Sequence, residues 1–285
     1  MSNTAQNTFS EQPPLKTQAI NYFKDLQNRI CAVFEHLDGT GQFERTPWKK
    51  GAEEHLNGGG EMRLMRSDVF EKVGVNFSEV YGEFSGKFAA EIPGTTEDDQ
   101  SFWASGISLV AHMKNPKVPA VHMNLRYIVT AEKAWFGGGA DLTPSHEYPE
   151  DTALFHKTLE KACAFYGTNA YADYKKWCDD YFYLPHRQET RGVGGIFFDY
   201  LEDRPEETFA FVQQVGEAFL EAFSELVNRR QNEVFTAEDK QKQLVKRGRY
   251  AEFNLLYDRG TRFGLMTGGN TEAILMSLPP EATWP

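Results

Sequence analysis

The chain has 285 residues and carries 30 Lys and Arg against 41 Asp and Glu, a formal charge of −11. That balance excludes a general nucleic-acid binder, whose affinity rests on cations neutralising phosphates. With 40% hydrophobic and 14% aromatic residues the chain can bury a substantial core, which excludes disorder throughout. An acidic protein also repels anionic ligands unless its cations are gathered in one place.

Residues 1–14 read as a disordered tail: Met1 to Gln12 are polar, lack Arg and include Glu11, which fits neither a signal peptide nor an Arg-rich transit peptide. A cytoplasmic location is the expectation. Residues 15–285 read as one domain, with no stretch apolar enough to span a bilayer. From Leu15 to Leu37 the residues Ile20, Phe23, Leu26, Ile30 and Phe34 recur at helical intervals, and Asp38-Gly39 supplies a stop. Gly58 to Gly60 predict a flexible loop, followed by strands over Glu61–Met65, Val69–Asn76 and Ser78–Phe84. Ser108–Met113 and Val118–Thr130 form a predicted hairpin around Asn115-Pro116-Lys117.

Helical spacing returns over Pro149–Tyr166 and Tyr171–Phe182, and Gly194–Tyr200 is a short apolar run of the buried-strand type. Pro205–Arg230 is the longest predicted helix, opened by Pro-Glu-Glu and striped by Phe209, Val212, Val215, Phe219 and Phe223. A charged helix over Ala237–Lys246 precedes three expected strands, Tyr250–Tyr257, Thr261–Met266 and Ala273–Leu278, with a hairpin turn at Asp258-Arg259-Gly260-Thr261. Clustered strands without regular βαβ alternation predict an α+β fold with a largely antiparallel sheet in one domain.

Residues two apart in a strand share a face, so His122, Asn124 and Arg126 point one way and Val121, Met123, Leu125 and Tyr127 the other. Ser108 and His112 extend the same polar face across the hairpin. An ordinary solvent-facing sheet surface would serve as well, but Lys, Glu and Thr are its usual occupants. The segment Trp135 to Pro144 sets Asp141 just behind Gly137, Gly138 and Gly139; as a phosphate loop it lacks Lys-Ser/Thr, and composition alone reads it as a loop with Asp141 capping a turn. Arg187 and Arg191 flank a polar stretch ahead of the strand that Asp199 closes, and Arg suits bidentate capture of carboxylates. Cys31, Cys163 and Cys178 form no CxxC pair, so a disulfide framework and a thiolate zinc site are both unexpected.

The runs Val121-His122-Met123-Asn124-Leu125-Arg126-Tyr127, Trp135-Phe136-Gly137-Gly138-Gly139 with Asp141-Leu142-Thr143-Pro144, and Arg191-Gly192-Val193-Gly194-Gly195-Ile196-Phe197-Phe198-Asp199 resemble the oxygen-dependent coproporphyrinogen III oxidases. Phe70 to Ser78, Tyr174 to Asp179 and Ile274 to Pro280 resemble the same family in the same order. The resemblance implies an oxidoreductase of haem synthesis that converts two propionates of coproporphyrinogen III into vinyl groups, giving protoporphyrinogen IX with release of carbon dioxide and hydrogen peroxide. Molecular oxygen is then the co-substrate, and no flavin, haem or nicotinamide is expected. By the same resemblance His122 matches the usual proton donor, and Asp141 would accept from, or deprotonate, the pyrrole N–H. Arg126 and Arg191 would clamp propionates, with Ser108, Asn124, Leu125, Arg126, Gly268, Gly269 and Asn270 at substrate-binding positions. Many members carry Arg where this chain has Asn270.

The resemblance also implies a large, mainly antiparallel sheet flanked by helices on both sides and a homodimer; residues 250–285 are the expected interface, because an edge strand or sheet face there needs cover. For bacterial members it implies a divalent metal such as manganese held by four histidines, here His112, His122, His156 and His186, although the chemistry can be written without one. Two rival readings are a His-dependent metallohydrolase, which would need metal and no oxygen, and a tetrapyrrole carrier, which would bind without consuming oxygen. Under the oxidase reading, the acidity demands that the pocket be a positive island in a negative protein.

Overall fold

The structure is a computed structural model that describes residues 14–50, 56–84, 92–266 and 270–285. The tail expected over residues 1–14 lies outside these except for Pro14. The first helix, α1 (Leu15–Asp38), buries Ala19, Phe23, Leu26, Ile30 and Phe34 on one stripe. It ends at Gly39, whose φ of 80° is the left-handed cap conformation and whose N–H donates to Glu35 O at 2.9 Å.

Six strands follow: β1 (Glu44–Lys49), β2 (Leu56–Met65), β3 (Lys72–Glu83), β4 (Ser101–His112), β5 (Ala120–Thr130) and β6 (Ala134–Thr143). Next come α2 (Pro149–Ala164), α3 (Ala170–Tyr181), the short pair β7 (Tyr183–Leu184) and β8 (Glu189–Thr190), and β9 (Gly194–Leu201). Four helices complete the chain: α4 (Pro205–Arg230), α5 (Ala237–Leu256), α6 (Arg259–Met266) and α7 (Thr271–Leu275). Among the described residues, β1 to β6 and then β9 make one seven-stranded sheet, antiparallel at every pairing. The architecture is therefore the α+β arrangement that the sequence predicts.

Alternation divides the sheet into two unlike faces. Val73, Val75, Ile107, Leu109, Met123, Leu125, Phe136, Leu142, Ile196 and Phe198 are buried in one core with α1, α2 and α4. The opposite face is polar and rich in glycine. One end of it is roofed by α5 and α7, held by side chains that donate to backbone carbonyls: Asn76 to Ala273, Lys72 to Leu278, and Gln243 to Met113, each at 2.8 Å. The α3 helix closes the β9 side, with Tyr174 against Phe198 and Trp177 against Phe197.

Three expectations are corrected. Gly58 to Gly60 are not a loop but part of β2, paired with β1 on one side and β3 on the other. The three glycines before Asp141 likewise sit inside β6, and at two of them a neighbouring backbone comes too close for a side chain: a Cβ on Gly138 would lie 2.6 Å from Asn124 O, and one on Gly139 would meet Ile196 O. The segments read as late strands and a hairpin are helical. Gln243, Arg247, Tyr250 and Asn254 are buried at helical spacing along α5, but three of the four are polar, so the stripe is invisible as a hydrophobic pattern. Asp258 is no turn residue either; its carboxylate accepts from the N–H and hydroxyl of Thr261, both at 2.7 Å, and caps α6.

The close approach at Gly139 sets a test. Gly139→Ala is expected to lose about 1–3 kcal/mol of stability by overpacking the centre of the sheet; urea denaturation measures it, with an unchanged midpoint contradicting the role given to this glycine.

Candidate active site

Register brings the polar residues together. In antiparallel pairing, directly opposed residues point to the same face, and His122 opposes Asp141, Asn124 opposes Gly139 and Arg126 opposes Gly137. On the other side of β5, Asn124 opposes Ser108 and Arg126 opposes Gly106. Four neighbouring side chains, Ser108, His122, Asn124 and Arg126, are thus half-buried on one open patch, with glycines between them.

Beside this patch, on the same face of the sheet, lies a buried ion pair. Asp141 is 3% exposed and Arg191 2%, and the Arg191 guanidinium donates to Asp141 Oδ2. Arg191 is walled by aromatic rings, its Cζ 3.9 Å from the Phe182 centroid, 4.4 Å from Tyr250 and 5.0 Å from Phe253. Its other terminal nitrogen reaches Asn254 Oδ1 at 3.4 Å. Burial by itself would raise the Asp141 carboxyl, but the charge of Arg191 and the hydrogen bonds from His122 and Arg191 prevail and hold it below the ordinary carboxylate range. An ionised carboxylate can only accept. The 2.7 Å contact between His122 Nδ1 and Asp141 Oδ1 therefore places a hydrogen on Nδ1 and leaves Nε2 as the working nitrogen of a quarter-exposed side chain.

The expected residues fall into different places. Arg126 is on the patch, with Nη1 donating to Asn124 Oδ1 at 2.8 Å and Nη2 to Asp199 Oδ2 at 2.6 Å. Arg191 and Asp141 lie beside it, both buried and tied to each other. Leu125 faces the core, fully buried, so only its backbone lies near the patch. Gly268 and Gly269 lie outside the described residues. Asn270 caps α7 by accepting from Ala273 N at 3.2 Å. The expected positive island takes a different form, because Arg126 and Arg191 each carry a carboxylate partner of their own.

The four histidines expected to hold a metal are not brought together. Buried His112 has Nε2 at 2.9 Å from Ser277 O and is pushed down to about 3 by burial. His156 is bound to Val193 O at 3.0 Å and to the Tyr171 hydroxyl at 2.9 Å, and His186 to Glu252 at 2.7 Å and the Tyr257 hydroxyl at 2.9 Å. Among the described residues no group of three or more His, Cys, Asp or Glu is arranged to hold a metal. This donor set does not fit a divalent ion within one chain. Sequence reasoning missed Phe182, Tyr250, Phe253 and Asn254, which wall in Arg191. For Tyr250, Phe253 and Asn254 the only signal was an aromatic-rich segment that also suits a strand, and Phe182 stood at the end of a predicted helix.

The sequence model of the coproporphyrinogen III oxidase family matches residues 18–285, so the chain belongs to that family. It is 52% identical over 274 residues to the oxygen-dependent coproporphyrinogen-III oxidase of Rickettsia bellii (strain OSU 85-389), covering 93% of this chain and 96% of that protein. The corresponding proteins of Rickettsia akari (strain Hartford) and Rickettsia felis (strain ATCC VR-1525 / URRWXCal2) are also 52% identical, over 92% and 93% of this chain and 95% and 97% of their own lengths.

Removing one member of a buried ion pair strands the other charge. Arg191→Met is expected to cost about 3–5 kcal/mol at neutral pH. Because the folded-state pKa of Asp141 is lowered, the pair's stabilisation is fully present above the unfolded carboxylate value and is lost as pH falls through the folded one. The gap between wild type and Arg191→Met should therefore narrow toward acid in urea titrations; a pH-independent gap would contradict the ionised pair.

Proposed function

We propose that the chain catalyses the reaction of its family: oxygen-dependent oxidative decarboxylation of two propionate groups of coproporphyrinogen III to vinyl groups, giving protoporphyrinogen IX in haem biosynthesis. The observation that carries this reading is His122, anchored to a buried carboxylate and turned toward a patch that also presents Arg126, Asn124 and Ser108.

For each side chain, a propionate, one dioxygen and one proton become a vinyl group, carbon dioxide and hydrogen peroxide. Two electrons leave the substrate and reduce dioxygen. The balance consumes a proton, so the site needs an acid as well as a base to activate a pyrrole N–H. His122 Nε2 suits both parts: it takes the pyrrole proton, making the ring electron-rich enough to react with dioxygen, and returns it to the forming peroxide, whose second hydrogen comes from the ring-attached carbon of the propionate; a proton from solvent restores the pyrrole N–H as carbon dioxide leaves. Asp141 fixes the tautomer and stabilises the charged ring while Arg191 keeps Asp141 ionised. Arg126 receives a propionate, and Asn124 and Ser108 offer shorter polar contacts. The glycines opposite Asn124 and Arg126 leave a low floor over which a flexible macrocycle can lie.

No step here draws on a metal or an organic cofactor. The pairing of His112, His156 and His186 with other groups supports this reading, and the electron balance closes with dioxygen alone. In the test, oxygen uptake and vinyl formation are followed together in protein treated exhaustively with chelator. The expected outcome is retained turnover, with His122→Gln about a hundredfold slower or worse and Arg126→Ala raised mainly in KM. Loss of activity on chelation, restored by manganese, would overturn the metal-free reading; full activity in His122→Gln would overturn the assignment of the acid–base group.

We also propose that the chain forms a homodimer through its C-terminal region. Leu255, Leu256 and Leu265, at the end of α5 and on α6, are 54%, 56% and 42% exposed, which supports a covered surface there. Light scattering should give twice the 32.4 kDa of one chain, and Leu255→Lys with Leu256→Lys should halve it; a monomeric wild type would refute the proposal.

A further inference from the structure

Arg126 is a long cation on an open face, yet it is not free to swing. Its Nη2 donates to Asp199 Oδ2 at 2.6 Å, and the Asp199 side chain is 9% exposed, far more enclosed than the arginine it holds. Two irregularities of the sheet make this contact. Pairing between β6 and β9 slips at this point: Phe136 opposes Leu201 but Gly138 opposes Phe198, so Asp199 and Tyr200 together face Gly137. Such a bulge re-aims a side chain. Tyr200 takes a φ of 54°, unusual for a residue with a Cβ, and its N–H donates to Asp199 Oδ1 at 3.0 Å, leaving Oδ2 for the arginine. Gly137 supplies the passage, since a Cβ there would lie 2.8 Å from Arg126 Nη2 and would also meet Asp199 Oδ1.

We infer that Asp199 is a positioning residue for substrate binding: through the β9 bulge it holds the Arg126 guanidinium flat over Gly137, aimed at an incoming propionate. The inference rests on Arg126 being a carboxylate clamp. Asp199 and Asn124 each take one hydrogen of a terminal nitrogen, which leaves Nε–H and one hydrogen on each terminal nitrogen for the ligand. The substrate carboxylate thus joins Asp199 on the guanidinium instead of replacing it. Fixing the side chain beforehand removes part of the ordering cost from binding. A paired cation also attracts stray anions less than a bare one, so selection falls to the geometry of the free hydrogens.

The experiment is a double-mutant cycle on the full-length enzyme with coproporphyrinogen III, using Asp199→Ala and Arg126→Ala singly and together. Asp199→Ala should raise KM about fivefold to twentyfold, the size of one charge-assisted contact partly lost, and lower kcat by a smaller factor. Asp199→Asn, which keeps the shape and one acceptor oxygen, should recover part of that loss, and it stands in if the alanine variant does not fold. In the Arg126→Ala background either change at position 199 should have no further effect on KM. If Arg126→Ala itself leaves KM unchanged, the clamp reading fails and this inference with it. If Arg126→Ala raises KM while Asp199→Ala and Asp199→Asn do not, or if position 199 acts equally with and without Arg126, only the positioning role is refuted.

Discussion

The pair formed by Asp141 and Arg191 is the interaction on which the rest of the site depends. Neither charge could lie so deep alone, because moving an ion into the interior costs far more than most single contacts return. Together they fix three parts of the molecule. Asp141 belongs to β6, Arg191 to the segment entering β9, and the rings enclosing the guanidinium come from the end of α3 and from α5. The carboxylate's remaining oxygen then has one task, to hold His122 Nδ1. A histidine on a strand surface thereby gains a defined tautomer, with Nδ1 held by the carboxylate and Nε2 left over, because of this buried ion pair.

The two faces of the sheet divide the labour. One is a continuous apolar core beneath α1, α2 and α4, which supplies most of the driving force for folding. The other exchanges apolar burial for polar anchoring: its roof is attached by side-chain donors bound to backbone carbonyls of the C-terminal segments and of Met113. Glycines on this face keep it low where Arg126 and Asp199 cross β6. The site is thus built on rigid strands, and its floor is defined as much by absent side chains as by present ones.

Much of this was legible in the residues. Period-two alternation puts His122, Asn124 and Arg126 on one face, and the apolar stripes predict α1 and α4 to within a residue of their bounds. The glycine runs misled because glycine marks turns far more often than strand centres; here backbone crowding from both sides excludes a Cβ. The C-terminal helices misled because the buried side of α5 carries Gln243, Arg247 and Asn254, whose burial is sustained by partners distant in sequence. A clamp role for Arg191 followed from its chemistry, but its depth could not be read from the residues around it.

The family, the class of fold, the reaction that family performs and the polar face of the sheet can be read from the residues alone, because long motifs and strand alternation are local properties. Which charges meet is settled by the closed fold. Local sequence carries no information on how deep a side chain will lie or which distant carboxylate will stand beside it. Arg191 was therefore drawn to Asp141, Arg126 to Asp199, and the four histidines to separate partners, by packing that exists only once the sheet and its roof have closed.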